Sequence, residues 1–584
     1  MLAGALDFRA GNGFSLSGDC TWIARRYRLS QDEASSELLS CSVLPVKSSK
    51  MIARAVSILD LDDYFLIRLL EHLKAAGSTI LGAVRLSCTC RRLRGLSMSM
   101  LFSHCKQDIS IWDASSSDSH TIPSTLWPHV RTIKLCCRCI DGYFAVSDWD
   151  NYTPQDSDVI CGALESPKLQ YVLQNMPYLS AIVVRPIHSH WFGHGLSWDT
   201  LCGFLSLPQL SRLVLEHVHI CPRPPDAAAL QLQPCTPISS FEYLLPNIRD
   251  PYGRLSETEA LDRVLRFLHH SLETLSLPAE PAPIITISSL DWPRLRELRL
   301  RGLRWTTPTL PIVGLFARMP NLRVLSLELM EGEGVSATAL WPRGFPASYP
   351  WPYLESLSVS HPDPEDEIYA HLPPTLRTLM LQSWPHQCIR RWQEVNYEPD
   401  RLRSYSPPIS SSTLLRVLQR CDSPDLRMLG VEYCSDYTEV SLLSHIASNF
   451  PRLTALEFHR YRPNGDAEIP VLDIARPLAS LSALRILKVH LDFPRMNSSM
   501  LDRNKREPRF WTERLPPAFE RSLQSSAIEF AQVLGPRLQE VWHFVYQMFQ
   551  LQWRRYEVIR VLGDGVTETR VTMQINRKYD TQWR

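Results

Sequence analysis

One arrangement of apolar positions recurs through most of this chain: proline, any residue, an aliphatic, two variable residues, an aliphatic, one variable residue, an aliphatic. Clear copies are Pro208–Leu215, Pro293–Leu300, Pro320–Leu327 and Pro374–Leu381, with others at Pro352–Val359, Pro424–Val431 and Pro451–Phe458. Copies without the proline occupy Leu272–Leu277 and Leu484–Val489. Looser ones occupy Val130–Leu135 and Met176–Val184, and a degenerate one Leu538–His543. Side chains alternate along an extended strand, so the last two aliphatics of a copy share one face and the residue between them points the other way. Three aliphatics cannot close a core alone. Copies stacked side by side bury one another, which predicts a solenoid with a parallel sheet. Helical periods fall between the copies. Ser256-Glu-Thr-Glu259 reads as a capping box ahead of Leu261, Val264, Leu265 and Leu268, and further helices are predicted at Ser411–Cys421, Val440–Asn449 and Ser522–Leu534. Strand and helix in alternation is what parallel strands require, because each crossover must return the chain to the same edge.

The first aliphatics Leu295, Leu322, Leu354 and Leu376 stand 27, 32 and 22 residues apart, and Leu426, Leu453 and Leu484 stand 27 and 31 apart. These phrases resemble the leucine-rich-repeat family, and Leu426-x-x-Leu429-x-Val431-x-x-Cys434 follows its longer consensus, cysteine included. The resemblance spans residues 125–545. It implies an α/β solenoid with parallel strands on a concave face and helices and loops outside, and the chain departs from it by an irregular period and proline-rich loops such as Cys221-Pro-Arg-Pro-Pro225. Beyond the last copy, Tyr556–Leu562 and Thr567–Ile575 alternate about Gly563-Asp-Gly565, predicting a hairpin that caps the exposed end within residues 546–584.

Ahead of the repeats, residues 1–50 lack periodicity and read as a mobile tail, whereas residues 56–105 read as a small helical module. Leu66, Leu69, Leu70 and Leu73 form one helical stripe, with Asp60 or Asp62 placed to cap its first turn; a second stripe runs from Ile80 to Leu96. About 45 residues with this many aliphatics cannot bury them all among three short helices, so apolar surface is left for a partner. The module resembles an F-box. The family's opening lies without gaps on Leu61 to Leu73, and its second element on Leu86, Cys88, Thr89, Cys90, Arg91 and Leu93. Asp62, Tyr64 and Leu93 replace the family's Pro, Glu and Trp. The resemblance to F-box proteins with leucine-rich repeats implies a substrate-recognition subunit of a cullin-RING (SCF-type) ubiquitin ligase. The ligase adaptor, and through it the cullin, would dock on Leu61, Phe65, Leu66, Leu69, Leu70, Leu73, Leu81, Leu86, Cys90 and Leu93, leaving the repeats to bind a target protein. The alternative is a leucine-rich-repeat interaction scaffold with no ubiquitin role.

The target should meet the open strand face, onto which the variable positions project: Glu297, Arg299, Arg301, Ser326, Glu328, Ser358, Met380, Gln382, Glu432, Glu457, His459 and Lys488. This row mixes signs, unlike the basic stripe that a phosphate backbone demands, so a protein or peptide ligand is expected. Charge agrees: 62 Lys and Arg against 61 Asp and Glu leave +1, which gives no reason to expect nucleic acid or an acidic membrane.

Fifteen cysteines, an odd number, and a start without an apolar core before Asp7 and Arg9 predict free thiols and a cytoplasmic or nuclear location. No apolar run is long enough to span a bilayer. Phosphate-loop, zinc-protease and nucleophile-elbow motifs are absent, so neither enzyme activity nor a cofactor is expected. A rival reading is a zinc enzyme using Cys136, Cys139 and the His188, His190 and His194 cluster; with only one Cys-x-x-Cys pair, buried structural cysteines and no metal are expected. The acidic run Asp363–Glu367 is expected to be a solvated loop.

Overall fold

A computed structural model of the chain describes residues 62–68, 87, 90–109, 122–137, 160–186, 194–221, 238–245, 255–305, 310–330, 339–346, 348–389, 408–462, 469–493, 517–547, 550–563 and 566–574. The N-terminal tail, residues 1–50, lies outside these. The chain divides into two compact units, one of Met1–Cys105, His120–Arg131 and Met176–Tyr178, the other of Lys106–Ser119, Thr132–Asn175 and Leu179–Arg584.

In the smaller unit residues 63–68 are helical. Asp62 caps them, its Oδ1 accepting the Phe65 amide at 2.9 Å. Helix α1 (Arg91–Phe102) starts from Cys90, whose Sγ accepts the Leu93 amide at 3.4 Å. Arg92 pairs with Asp63 at 2.8 Å, linking the two helical segments. Leu66, Leu93, Leu101 and Phe102 are buried.

The sheet strands are β1 (His104–Ile109), β2 (Thr132–Cys137), β3 (Ala181–Pro186), β4 (His194–Ser197), β5 (Arg212–Glu216), β6 (Val218–Cys221), β7 (Ser240–Leu244), β8 (Thr274–Pro278) and β9 (Glu297–Leu303). They continue as β10 (Val324–Met330), β11 (Ser356–Val359), β12 (Thr378–Leu381), β13 (Met428–Cys434), β14 (Ala455–Tyr461), β15 (Ile486–Leu491), β16 (Glu540–Gln547), β17 (Gln550–Gly563) and β18 (Val566–Gln574). β4 and β6 pair with each other; the other sixteen form one sheet in chain order. From β2 to β16 every neighbouring pair in that sheet is parallel.

The register explains why the phrase recurs. Its second aliphatic forms one line across nine strands, Leu275, Leu298, Leu325, Leu357, Leu379, Leu429, Leu456, Leu487 and Val541, and every member is buried. The third forms a parallel line that ends on His543 opposite Val489. There the degenerate copy puts an imidazole where its neighbours put an aliphatic. Burial pushes the His543 ring down to about 3, and its Nε2 lies 3.0 Å from Ser526 Oγ. One strand per repeat, aligned in this way and joined by helices, is a leucine-rich-repeat arrangement of the α/β class.

Among the described residues the helices of the larger unit are α2 (Pro167–Gln174), α3 (Trp198–Leu205), α4 (Leu255–Leu268), α5 (Ile284–Ser289), α6 (Ile312–Leu315), α7 (Ser411–Gln419), α8 (Glu439–Asn449), α9 (Val471–Leu478) and α10 (Pro517–Val533). Helix α4 buries Leu261, Val264, Leu265 and Leu268, the stripe read from the sequence. The helix begins at Leu255, so Ser256, the expected cap, lies inside it. Instead Glu257 is fully buried and accepts from Tyr243 Oη at 2.9 Å. Helices α2, α3, α5, α6 and α9 span four to eight residues each, too short for a helical period to stand out. The acidic run is not all solvated either. Asp366 is buried and accepts the Trp341 and Ile368 amides at 2.9 and 3.1 Å, which holds two loops together. After the last parallel strand, β17 pairs antiparallel with β16 and β18 with β17, the hairpin turning between Gly563 and Val566.

Candidate interaction face

Alternation along each strand leaves one residue in two facing away from the aliphatic lines. Register places Arg299, Ser326, Ser358, Met380, Gly430, Glu457, Lys488 and Trp542 in one row on that face. A second row carries Arg301 and Glu328, then Glu432, His459 and His490. Sequence reasoning brings these residues to one face but treats the face as uniformly open, and the structure divides it.

From β9 to β12 the face is accessible, Ser326 excepted. Arg299 is exposed, and Glu297, Arg301, Glu328, Ser358, Met380 and Gln382 are half-buried. Arg299 pairs with Glu297 on its own strand, and Arg301 Nε donates to Glu328 Oε2 at 2.6 Å across strands. The Arg301 guanidinium also sits 4.2 Å over the Trp384 ring, a cation–π contact.

From β13 to β15 the same face is sealed. Glu432, Glu457 and His459, expected to meet a target, are buried within the protein and beyond a partner's reach, as is Ser326 on β10, whereas Lys488 on β15 stays half-buried. Residues 383–389 account for much of this. The Glu432 carboxylate accepts the Ser383 amide at 3.0 Å, the Gln387 amide at 2.8 Å and His386 Nδ1 at 2.6 Å. The Cys388 amide donates to Tyr461 Oη at 3.2 Å. Beneath, Glu457 Oε1 accepts from Gln382 Nε2 at 2.8 Å and lies 3.2 Å from His459 Nε2, while Lys488 Nζ stands 3.7 Å from its other oxygen. Phe544 and Trp553 close the edge, their centroids 5.2 and 5.8 Å from the His459 ring.

Burial by itself would raise both carboxyls. Attraction to His386 and His459 and the bonds donated to Glu432 outweigh it and hold that carboxyl at about 2. His459, Lys488 and Gln382 do the same for Glu457, also at about 2. Burial, reinforced by neighbouring imidazoles, lowers His459, and it lowers His490 to about 4. The result is a buried polar plug in which both carboxylates are held by donors from other repeats. A signal for it is present in the sequence: Glu432, His459 and His490 each follow the last aliphatic of three successive copies, a position that stacking must bring together.

On the smaller unit, Tyr64, Phe65 and Ile67 are exposed by 60%, 59% and 41% while Leu66 is buried, so helical residues 63–68 turn an apolar side outward. Leu93 is buried and Cys90 half-buried; Leu61, Leu69, Leu70, Leu73, Leu81 and Leu86 lie outside the described residues. So do Cys139, His188 and His190. Cys136 is buried, and burial raises its thiol. Among the described residues no group of three or more His, Cys, Asp and Glu is arranged to hold a metal, and no helix is long and apolar enough to cross a membrane.

The chain matches no protein-family model and no curated protein. Among solved structures it is similar to an internalin from Listeria monocytogenes, with a TM-score of 0.31 and 14% identity over 67% of this chain and 91% of that one. It is similar to the mouse RP105/MD-1 complex at 0.28 and 14%, over 63% of this chain and 52% of that one. A protein from Bacteroides fragilis aligns at 0.21 and 10%, over 57% and 61%. The repeat fold rests on the strand register described above rather than on these alignments.

Proposed function

We propose that the chain is a protein-interaction receptor whose repeats bind a target protein. The observation that carries this reading is the unlike set of polar side chains left accessible from β9 to β12 while the aliphatics of the same strands are buried. Such a surface offers charge, hydrogen bonds and a half-buried Met380 to a protein or peptide, without the uniform positive charge that nucleic acid requires.

The finer reading is a substrate-recognition subunit of a cullin-RING ubiquitin ligase. The F-box resemblance at Leu61–Leu93 and the outward side of Tyr64, Phe65 and Ile67 support it, since exposed apolar side chains on a short helix favour a covering partner. The chain would then perform no chemistry. Holding the target beside the charged enzyme raises the effective concentration of its lysines. Co-purification with the ligase adaptor tests this. Wild type should retain the adaptor, and Phe65→Asp with Leu70→Asp should lose it. No retention by wild type, or equal retention by the variant, sinks the ligase role and leaves the interaction scaffold.

A further inference from the structure

Each repeat places one residue just before its strand, and its amide is bonded to the carbonyl of the counterpart in the preceding repeat. Arg296 bonds to Glu273 at 2.8 Å, Arg323 to Arg296 at 2.7 Å, Glu355 to Arg323 at 2.8 Å, Arg377 to Glu355 at 2.8 Å and Arg427 to Arg377 at 2.8 Å. These bonds hold successive positions at the strand spacing of about 4.8 Å. The starting edge of the sheet therefore carries a row at a fixed pitch in which Arg296, Arg323, Arg377 and Arg427 alternate irregularly with Glu273 and Glu355, apart from the strand-face residues discussed above.

At one place this edge is concave. Arg294, Arg296 and Arg323, with Glu273, Asn321 and Tyr353, line a cavity of about 470 Å3. Arg294 is exposed and has no ion-pair partner among the described residues. Arg296 stands 3.5 Å from Glu273 and Arg323 3.1 Å from Glu355, and the side chains of both pairs are 42% to 59% exposed. Pairs this exposed are weak in water and are readily exchanged for a better acceptor. Asn321 is fixed by donating to the Pro293 carbonyl at 2.7 Å. Tyr353, 56% exposed, brings a phenol to the rim. Three guanidiniums against the lining Glu273 and the Glu355 carboxylate beside Arg323 leave one positive charge in excess, that of Arg294, and planar fork donors favour oxyanions that accept two bonds at once.

We propose that this cavity is an anion-binding site that takes an acidic segment of a partner protein, its oxygens seated between Arg294, Arg296 and Arg323. Carboxylate clusters and phosphorylated side chains share the required chemistry. A nucleic acid fits less well, because its evenly spaced phosphates would meet Glu273 and Glu355 along the same edge, and Asp425 beside Arg377 and Arg452. The site lies outside the interaction face and does not depend on the ligase reading.

The test is fluorescence anisotropy on the full chain with three labelled Gly-Ser peptides, one carrying clustered phosphoserines, one the same charge as glutamates, and one neutral. The expected result is salt-sensitive binding of at least one acidic peptide and none of the neutral one. Arg294→Ala with Arg323→Ala should weaken that binding about tenfold or more, whereas Arg476→Ala on α9 leaves it unchanged. Arg294→Lys, which keeps charge but not the fork, should fall between. Preference for the phosphopeptide would assign phosphate as the source, and equal binding would assign charge clustering in general. Three results overturn the proposal: no acidic peptide bound, equal binding by the double variant with its melting temperature intact, or an oligonucleotide of equal charge bound more tightly and lost in that variant.

Discussion

His386 stacks face to face on His459, the ring centroids 4.2 Å apart and the planes within 7° of parallel. One ring comes from the segment after β12 and the other from β14, and each is matched to its own carboxylate, Glu432 and Glu457. Stability at this end of the sheet is therefore tied to protonation. His490 resists protonation until about pH 4, against 6.5 for a free imidazole, and His459 is also lowered. The unfolded chain thus binds more protons than the folded one across that window, and stability falls as pH drops through it. The two carboxyls add a second loss between their ordinary 4.5 and about 2. Urea melts from about pH 7.5 to 4 should give a steadily lower midpoint. His490→Asn, which keeps a donor for the Phe544 carbonyl 3.3 Å away, should flatten the fall. An unchanged slope in the variant would refute the assignment.

Glu432 holds residues 383–389 through three accepted bonds. Glu432→Gln replaces one acceptor oxygen by a donor, so at least one of those donors loses its partner at a cost of about 1–3 kcal/mol. Hydrogen exchange of the Ser383 and Gln387 amides should quicken selectively. If exchange there stays at the wild-type rate, the segment is held by something else.

Neighbouring positions on β9 should differ widely in their tolerance of substitution. Leu298 is fully buried, and Leu298→Asp places an unpaired charge among aliphatics at a cost of several kcal/mol. Arg299 is exposed, and Arg299→Ala should cost about 0.5 kcal/mol. Comparable losses of melting temperature in both would contradict the strand facing.

Gly302 at the end of β9 has φ +133°, and an added Cβ would collide with the Glu280 carboxylate, which accepts the Leu303 amide at 2.9 Å. Gly302→Ala should destabilise by about 1–3 kcal/mol, measured by chemical denaturation. A neutral effect would mean that the loop bearing Glu280 shifts freely.

Much of the fold is legible without coordinates. Leu295, Leu298 and Leu300 announce a strand with one greasy side, and their recurrence announces its neighbours, because strand facing and repeat stacking follow from spacing alone. The short helices are not legible in the same way, since Ile312–Leu315 contains barely one turn. Ser256 begins a capping pattern one residue inside an α4 that starts at Leu255, so the pattern alone does not fix the helix start. The candidate face was legible as a set of residues, Arg299 and Glu457 included, but not as two regions of different accessibility.

The primary structure by itself determined the class of the fold, the parallel pairing and which side of each strand is buried, because these are short-range periodic properties. Only the folded chain decided which of the remaining side chains meet solvent. Glu432 is reached by His386 from 46 residues away and Glu457 by Gln382 from 75, and no local pattern encodes a bond between such distant positions. Burial of a polar residue depends on what lies over it, and here the cover comes from a different repeat.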